Sequence, residues 1–133
     1  MRRIVTAECQ ASGCPKDPDF ELFDRFPVTD NDAVTTERVA GAFANFFGDR
    51  AQQMGQQTAS EDFSDIPTAL GVPYTYWGIG GIDPDAYRRA ADAGRVGQDI
   101  PVNHSANFAP VIQPTLDTGT QALVVAALAW LAH

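Results

Sequence analysis

The chain has 133 residues, a formal net charge of −8 and 44% hydrophobic residues, which is the size and composition of one ordinary globular domain. Its acidic balance, with a pI near 4.4, argues against binding to nucleic-acid phosphates or to anionic membrane surfaces. The apolar run over residues 122–132 is shorter than the roughly 20 residues of a membrane span. We therefore expect neither nucleic acid nor a membrane as a partner.

The N-terminal residues and the two cysteines indicate the cellular compartment of the protein. Two arginines are followed by Glu8 before any apolar segment builds up, so no signal peptide is predicted. Cys9 and Cys14 are too few for a disulfide framework, and their spacing is not Cys-x-x-Cys. We interpret both as buried or idle thiols in a reducing compartment and expect a cytoplasmic protein.

The first half of the chain predicts a helix, a strand and a second helix. Residues 2–11 have helical composition and are followed by a Ser-Gly stop. Residues 20–26 alternate apolar and polar, which is typical of a strand with one buried face. A cap at Thr29 or Asp30 predicts a helix that runs to about residue 47. The apolar face of that helix carries Val39, Phe43, Phe46 and Phe47.

The second half predicts a short helix, a strand, a long connection and a final helix. The short helix is capped by Ser60 and ends at Gly71. Residues 72–79 are rich in β-branched and aromatic side chains and are the strongest strand signal. The polar connection over 82–101, with a helical turn around residues 87–93, has a length typical of functional or mobile segments. The last helix runs over 114–131.

His104 is the internal histidine of a chain that contains two histidines. Imidazole is the commonest metal ligand and the readiest acid or base near neutral pH. The alternative is a structural histidine whose hydrogen-bonding groups find partners within a turn. Asn103, Ser105 and Asn107 can all make local hydrogen bonds of this kind. A metal site needs three or four donors, so His104 alone does not make one.

Glu61 and Asp62 form a second candidate, at the predicted start of the short helix. Adjacent carboxylates there can bind a cation or position a substrate amine, but they are also ordinary first-turn residues favoured by the helix dipole. The glycines after the second strand predict a turn rather than a phosphate loop, because no Lys-Ser/Thr pair follows them. No serine lies in a Gly-x-Ser-x-Gly elbow.

Several blocks, in order along the chain, resemble the C-terminal part of the M20 family of metallopeptidases and amidohydrolases, in its aminoacylase-like and hippurate-hydrolase-like branch. Residues 58–64, Thr-Ala-Ser-Glu-Asp-Phe-Ser, are similar to the family's Ser-Glu-Asp-Phe motif. Residues 72–78 are similar to the strand that follows this motif. Residues 1–29 resemble the last helix and strand of the family's inserted dimerisation domain.

The block Asn103-His104-Ser105 resembles the family's last metal-ligand motif, His-Ser-Pro, with Ala106 in place of the proline. The resemblance implies that His104 binds a divalent metal, above all zinc, in the complete enzyme. It also implies that Glu61, Asp62, Asn103 and Ser105 lie next to the substrate or behind the metal ligands.

The fold implied by the resemblance is α/β. Residues 30–133 would form part of a zinc-peptidase-like catalytic domain, a mixed sheet with flanking helices, and residues 1–29 a helix and strand left from the dimerisation domain. The implied function is hydrolysis of the amide bond of N-acyl amino acids or small peptides.

The family's other ligands and its catalytic glutamate have no counterpart in this sequence, which contains neither a Cys-x-His nor a Glu-Glu pair. We therefore assign no catalytic residue within this chain, and we expect it to be inactive and to hold no metal tightly on its own. It would associate with itself or with a missing N-terminal half. The alternative is a non-catalytic binding or assembly module built on the same scaffold.

Overall fold

The structure is a computed structural model that describes residues 1–59 and 61–131. Within these residues it contains only helices and connecting segments, and no strand is paired with another. The helices are α1 (Arg2–Ala11), α2 (Ala33–Phe47), α3 (Asp65–Leu70), α4 (Pro84–Asp92), α5 (Val96–Asp99) and α6 (Ile112–Leu131), and a 3₁₀ turn (Gly48–Arg50) extends α2.

The predicted α/β fold with a mixed sheet is therefore wrong for the described residues. Residues 20–26 form no strand, and Asp24 within them has a φ of 50°, which interrupts an extended backbone. Residues 72–79 are not helical but lack a partner strand. A ladder requires a second extended segment alongside, and here polar groups of Asn31 and Asp32 bond to the backbone where such a segment would lie.

The predicted first helix is confirmed as α1, and the end of the second is confirmed at Phe47. The cap of α2 is Asp32, rather than Thr29 or Asp30, because its Oδ1 accepts the Thr35 N–H at 2.8 Å. Hydrogen bonding from the side chain of Thr35, and then from its backbone N–H, lowers the pKa of Asp32.

The second half is more helical than expected. The predicted short helix exists as α3 and ends at Gly71, whose φ of 63° suits a glycine. It begins at Asp65, so the prediction that Glu61 and Asp62 lie in its first turn is wrong. Its expected cap, Ser60, lies outside the described residues. The connection predicted over 82–101 contains α4 and α5, because Asp83 caps α4 and Pro84 occupies its first turn. The last helix is confirmed, with regular geometry beginning after the extended Gln113.

The main packing contact joins α2 to α6. Thr35 and Val39 are buried one turn apart on α2, and Ala122 and Ala126 are buried one turn apart on α6. Small residues at such positions let two helix backbones approach closely.

At the end of α6, Arg38 fixes the contact between the two helices. Its Nε donates to the carbonyl of Ala129 at 2.7 Å, and its guanidinium lies 4.2 Å from the centre of the Trp130 ring. Both contacts stabilise the last turn of α6 against α2.

The chain leaves an unusually large surface exposed. Its accessible area is 10,939 Å², whereas a compact monomer of this mass exposes about 6,800 Å². α1 buries none of its residues. On α6, the exposed large apolar side chains are Ile112, Leu116, Leu123, Val124, Leu128, Trp130 and Leu131. The structure therefore carries roughly 4,000 Å² of surface that a compact domain of its size would bury.

None of the helices in residues 1–59 and 61–131 combines the length and the apolar composition needed to cross a bilayer.

Candidate functional site

The carboxylate of Glu61 is bound on both of its oxygens. Oε1 accepts the backbone N–H groups of Asp62 and Phe63, each at 2.9 Å, and Oε2 accepts the hydroxyl of Tyr76 at 3.0 Å. The Phe63 N–H bond is the main cause of a lowered pKa at Glu61, with the Tyr76 hydroxyl second. The hydrogen bond between Tyr76 and Glu61 also raises the pKa of Tyr76, because the carboxylate holds the hydroxyl proton. Glu61 therefore orders the turn that contains it.

Phe63 covers one face of the segment 72–79. Its ring centre lies 5.7 Å from that of Tyr74 and 5.1 Å from that of Tyr76. The hydroxyl of Tyr74 accepts the backbone N–H of Asp30 at 2.9 Å. The turn after Ser60 and the segment before α2 are thereby tied to the same pair of tyrosines.

α2 covers the opposite face of this segment. Thr36 and Thr75 share a hydrogen bond between their hydroxyls at 3.0 Å, and the rings of Phe43 and Trp77 meet edge to face at 5.4 Å. Residues 74 and 76 thus face Phe63 while residues 75 and 77 face α2. This alternation is typical of extended backbone.

An open groove of about 610 Å³ lies beside the Glu61 turn. Its rim carries Asp62 and Asp65, whose carboxylates have no hydrogen-bond donor among the residues that the structure describes. Most of its other lining side chains are apolar or aromatic, namely Phe63, Ile66, Pro67, Leu70, Val72 and Tyr76. Such a groove can receive an apolar group that carries a neutral or cationic N–H donor at one end.

His104 is exposed and has a φ of 68°, in the left-handed region that non-glycine residues rarely adopt. The turn around it is closed by the Ser105 N–H, which donates to the Val102 carbonyl at 3.1 Å. The Ser105 hydroxyl accepts the Asn107 N–H at 3.2 Å. These bonds hold the loop, and none of the hydrogen bonds between described residues involves the imidazole.

The predicted site residues fall into two separate groups. Glu61 and Asp62 line the groove, whereas His104 and its neighbours Asn103 and Ser105 are not among its lining residues. In the described ranges, no group of three His, Cys, Asp or Glu residues is placed to hold a metal ion. The residues present therefore do not fit a metal ion by themselves.

Sequence reasoning missed Tyr76 and Asn31, which join the turn, the extended segment and α2. The sequence pattern identifies Tyr76 only as a β-forming residue of the predicted strand. Its position two residues after Tyr74 was a usable signal, because the two side chains share a face in extended backbone.

No protein-family model matches the chain.

Proposed function

We propose that this chain forms part of a metal-dependent amidohydrolase that cleaves the amide bond of N-acyl amino acids or small peptides, and that its groove holds an apolar portion of the substrate. The observation that carries the proposal is the Tyr76–Glu61 hydrogen bond. It joins two blocks that each resemble a part of the M20 family, the Ser-Glu-Asp-Phe motif and the segment that follows it.

Within this proposal Glu61 is a positioning residue and not a general base. Both of its oxygens are already bound by donors, and its pKa is lowered by the Phe63 N–H and by Tyr76, which weakens it as a proton acceptor. The neighbouring carboxylate of Asp62 faces the groove without an internal donor, so it is available to accept an N–H of the substrate.

The role proposed for His104 is to donate a ring nitrogen to a metal in the complete enzyme. Two observations support it: the ring is exposed without an internal partner, and its backbone is held in a strained conformation. Strained residues cluster at functional sites, where the surrounding turn offsets their cost. The other donors would have to come from outside the described residues.

The groove favours particular substrates. Its apolar wall suits a large aliphatic or aromatic group, and the carboxylates on its rim oppose a second negative charge. We expect N-acetylmethionine and N-acetylphenylalanine to be better substrates than N-acetylaspartate.

The test is hydrolysis of these three compounds by the polypeptide translated from the complete coding region. Asp62→Asn should lower kcat/KM about tenfold or more for the two apolar substrates, because it removes a charged hydrogen-bond acceptor. The matched control is Asp85→Asn, which changes an exposed acid on α4 that already pairs with Arg88. Absence of hydrolysis of every amide tested would refute the proposal.

A non-catalytic binding or assembly module is the second candidate. The observation in its favour is the exposed area of 10,939 Å², which exceeds that of a compact monomer by roughly 4,000 Å². A chain of this kind can act by covering its apolar surface with a partner. The module would associate tightly and hydrolyse no amide, with or without added zinc.

A further inference from the structure

The turn that ends α1 brings Cys9 and Cys14 together. Ser12 ends the helix, and Gly13 follows it with a φ of 68°, in the left-handed region. The Cys14 N–H donates to the Cys9 carbonyl at 2.9 Å, and the Gly13 N–H donates to the Gln10 carbonyl at 3.2 Å. These two bonds define a Schellman motif, in which the side chains of the first and last residues, here the two cysteines, commonly meet.

The separation of the two cysteines suits a disulfide. The bond from the Cys14 N–H to the Cys9 carbonyl limits the distance between their α-carbons to about 6.8 Å, because it joins atoms next to each α-carbon. Disulfides join α-carbons that are about 4.4–6.8 Å apart. The two side chains also interact, since hydrogen bonding with the side chain of Cys14 is the main cause of a raised pKa at Cys9.

The two thiols differ in exposure. Cys14 is exposed, whereas Cys9 is half-buried. A small solute therefore reaches Cys14 first. Both cysteines belong to six consecutive residues, 9–14, so their relative position depends on this turn and not on a distant part of the chain or on a further polypeptide.

We propose that Cys9 and Cys14 form a reversible disulfide by exchange with a low-molecular-weight disulfide, namely oxidised glutathione. Their spacing in the sequence favoured idle thiols, because it is not Cys-x-x-Cys. The left-handed Gly13 brings them together instead. Reversible disulfides in reducing compartments are typical of redox-sensing sites.

The exchange has two steps. In the first, Cys14 loses its proton and its Sγ attacks one sulfur of the glutathione disulfide, whose S–S bond breaks and releases one glutathione. In the second, Cys9 loses its proton and its Sγ attacks the Cys14 Sγ of the mixed disulfide, which releases the other glutathione. The two cysteines lose two electrons and two protons, and the glutathione disulfide takes them up to become two thiols.

The disulfide fixes the reversal of the chain after α1. The guanidinium of Arg2, in the first turn of α1, lies 5.0 Å from the centre of the Phe20 ring, so the chain after Cys14 runs back along the helix. No residue of α1 is buried, so few contacts hold this hairpin together. A cross-link at its turn restricts the unfolded chain and stabilises the end of the helix.

The test is equilibration of the purified chain in glutathione buffers of graded thiol-to-disulfide ratio, followed by alkylation of free thiols, trypsin digestion and mass spectrometry. Trypsin releases residues 4–16, a peptide that contains both cysteines of the chain. We expect this peptide to lose two hydrogen atoms and to escape alkylation as the fraction of glutathione disulfide rises. In the oxidised chain, the amides of Ser12 and Cys14 should exchange with solvent more slowly.

Gly13→Val tests the geometry. No atom lies within 4 Å of a Cβ built at residue 13, so the substitution acts through the left-handed backbone alone. It should lower the equilibrium constant for the disulfide about five- to thirtyfold, because a residue with a Cβ disfavours this conformation.

Gly94→Val is the matched control. Gly94 has a φ of 64° at the end of α4, in a turn of the same kind, where the Arg95 N–H donates to the Ala90 carbonyl at 2.8 Å. This turn contains no cysteine, so the equilibrium constant should equal that of the native chain.

Two results would overturn the proposal. One is the absence of the intramolecular disulfide at every glutathione ratio, whether the thiols stay free or carry glutathione. The other is an equal equilibrium constant in Gly13→Val and the native chain, which would show that the turn does not hold the two cysteines together.

Discussion

Tyr76 donates its hydroxyl hydrogen to Glu61 at 3.0 Å, across fifteen residues of sequence. The bond connects the groove-lining turn to the segment that α2 covers from the other side. Because Glu61 also accepts two backbone N–H groups of its own turn, the conformation of that turn and the ionisation of Glu61 are coupled to Tyr76.

The first prediction concerns this coupling. Tyr76→Phe removes one of the donors that stabilise the ionised form of Glu61, so the pKa of Glu61 should rise toward its ordinary value. The measurement is an NMR titration of the glutamate side-chain carbons. Tyr74→Phe is the control, because it also removes a tyrosine hydroxyl beside Phe63 but one that bonds to the Asp30 N–H. An unchanged Glu61 titration in Tyr76→Phe would contradict the bond.

The second prediction concerns the cap of α2. The pKa of Asp32 is lowered in the folded chain, so its contribution to stability is present above its ordinary value of 3.8 and is lost as the pH falls through the folded pKa. Asp32→Asn keeps a capping oxygen but cannot titrate. Thermal unfolding of this variant should therefore depend less on pH below about 4 than that of the native chain.

The control for that experiment is Asp30→Asn. Asp30 takes part through its backbone N–H, which donates to Tyr74, and its carboxylate caps no helix. Its substitution leaves the Asp32 cap in place, so the acid-dependent loss of that cap should persist. Equal acid dependence in Asp32→Asn and the native chain would show that Asp32 does not cap α2 in solution.

The third prediction concerns the contact between α2 and α6. Ala122→Leu inserts a large side chain at a position that is 3% exposed, and the overpacking should lower the free energy of unfolding by about 1–3 kcal/mol. The neighbouring Leu123 is 63% exposed, so Leu123→Ala should change it by less than about 0.5 kcal/mol. Urea denaturation measures both variants. A reversed order of the two effects would mean that α6 presents a different face to α2.

The fourth prediction concerns His104. Its φ of 68° is unfavourable for a residue with a Cβ, so His104→Gly should raise the free energy of unfolding by about 0.5–1 kcal/mol. His104→Ala keeps the unfavourable backbone and should give no such gain. Equal stability of the two variants in urea denaturation would indicate that residue 104 does not hold this conformation in solution.

Helices whose signals were local could be predicted from the sequence. The composition of α1, the glycines after α2 and α3, and the apolar run of α6 placed the first, second and last helices closely. The cap of α2 was predicted two or three residues early, because Thr29, Asp30 and Asp32 all have capping side chains and local pattern does not choose among them.

Local sequence pattern could not predict whether the segment 72–79 pairs with a second strand to form a sheet. Residues 72–79 have strong β propensity and do alternate between two environments, but a strand becomes a sheet only when another extended segment lies beside it. In the described chain, the side chain of Asn31 takes that position at Tyr76. Propensity reports the conformation of a segment and not the identity of its neighbour.

The roles expected for the candidate site residues stay predictions. The structure places both Glu61 and Asp62 in the lining of one groove. The hydrogen bonds of Glu61 come in part from a hydroxyl fifteen residues away, which no local rule connects to it. The metal-binding role proposed for His104 requires further donors, and no group of three His, Cys, Asp or Glu residues is placed to hold a metal in the described residues.

The most direct test of the central claim is the zinc content of the polypeptide translated from the complete coding region, measured by mass spectrometry of metals after dialysis. We predict stoichiometric zinc in the native polypeptide and in the control Val102→Ala, and a substantial loss in His104→Ala, because the imidazole is removed from the ligand set. Equal zinc content in His104→Ala and the native polypeptide, or no zinc in either, would contradict the account.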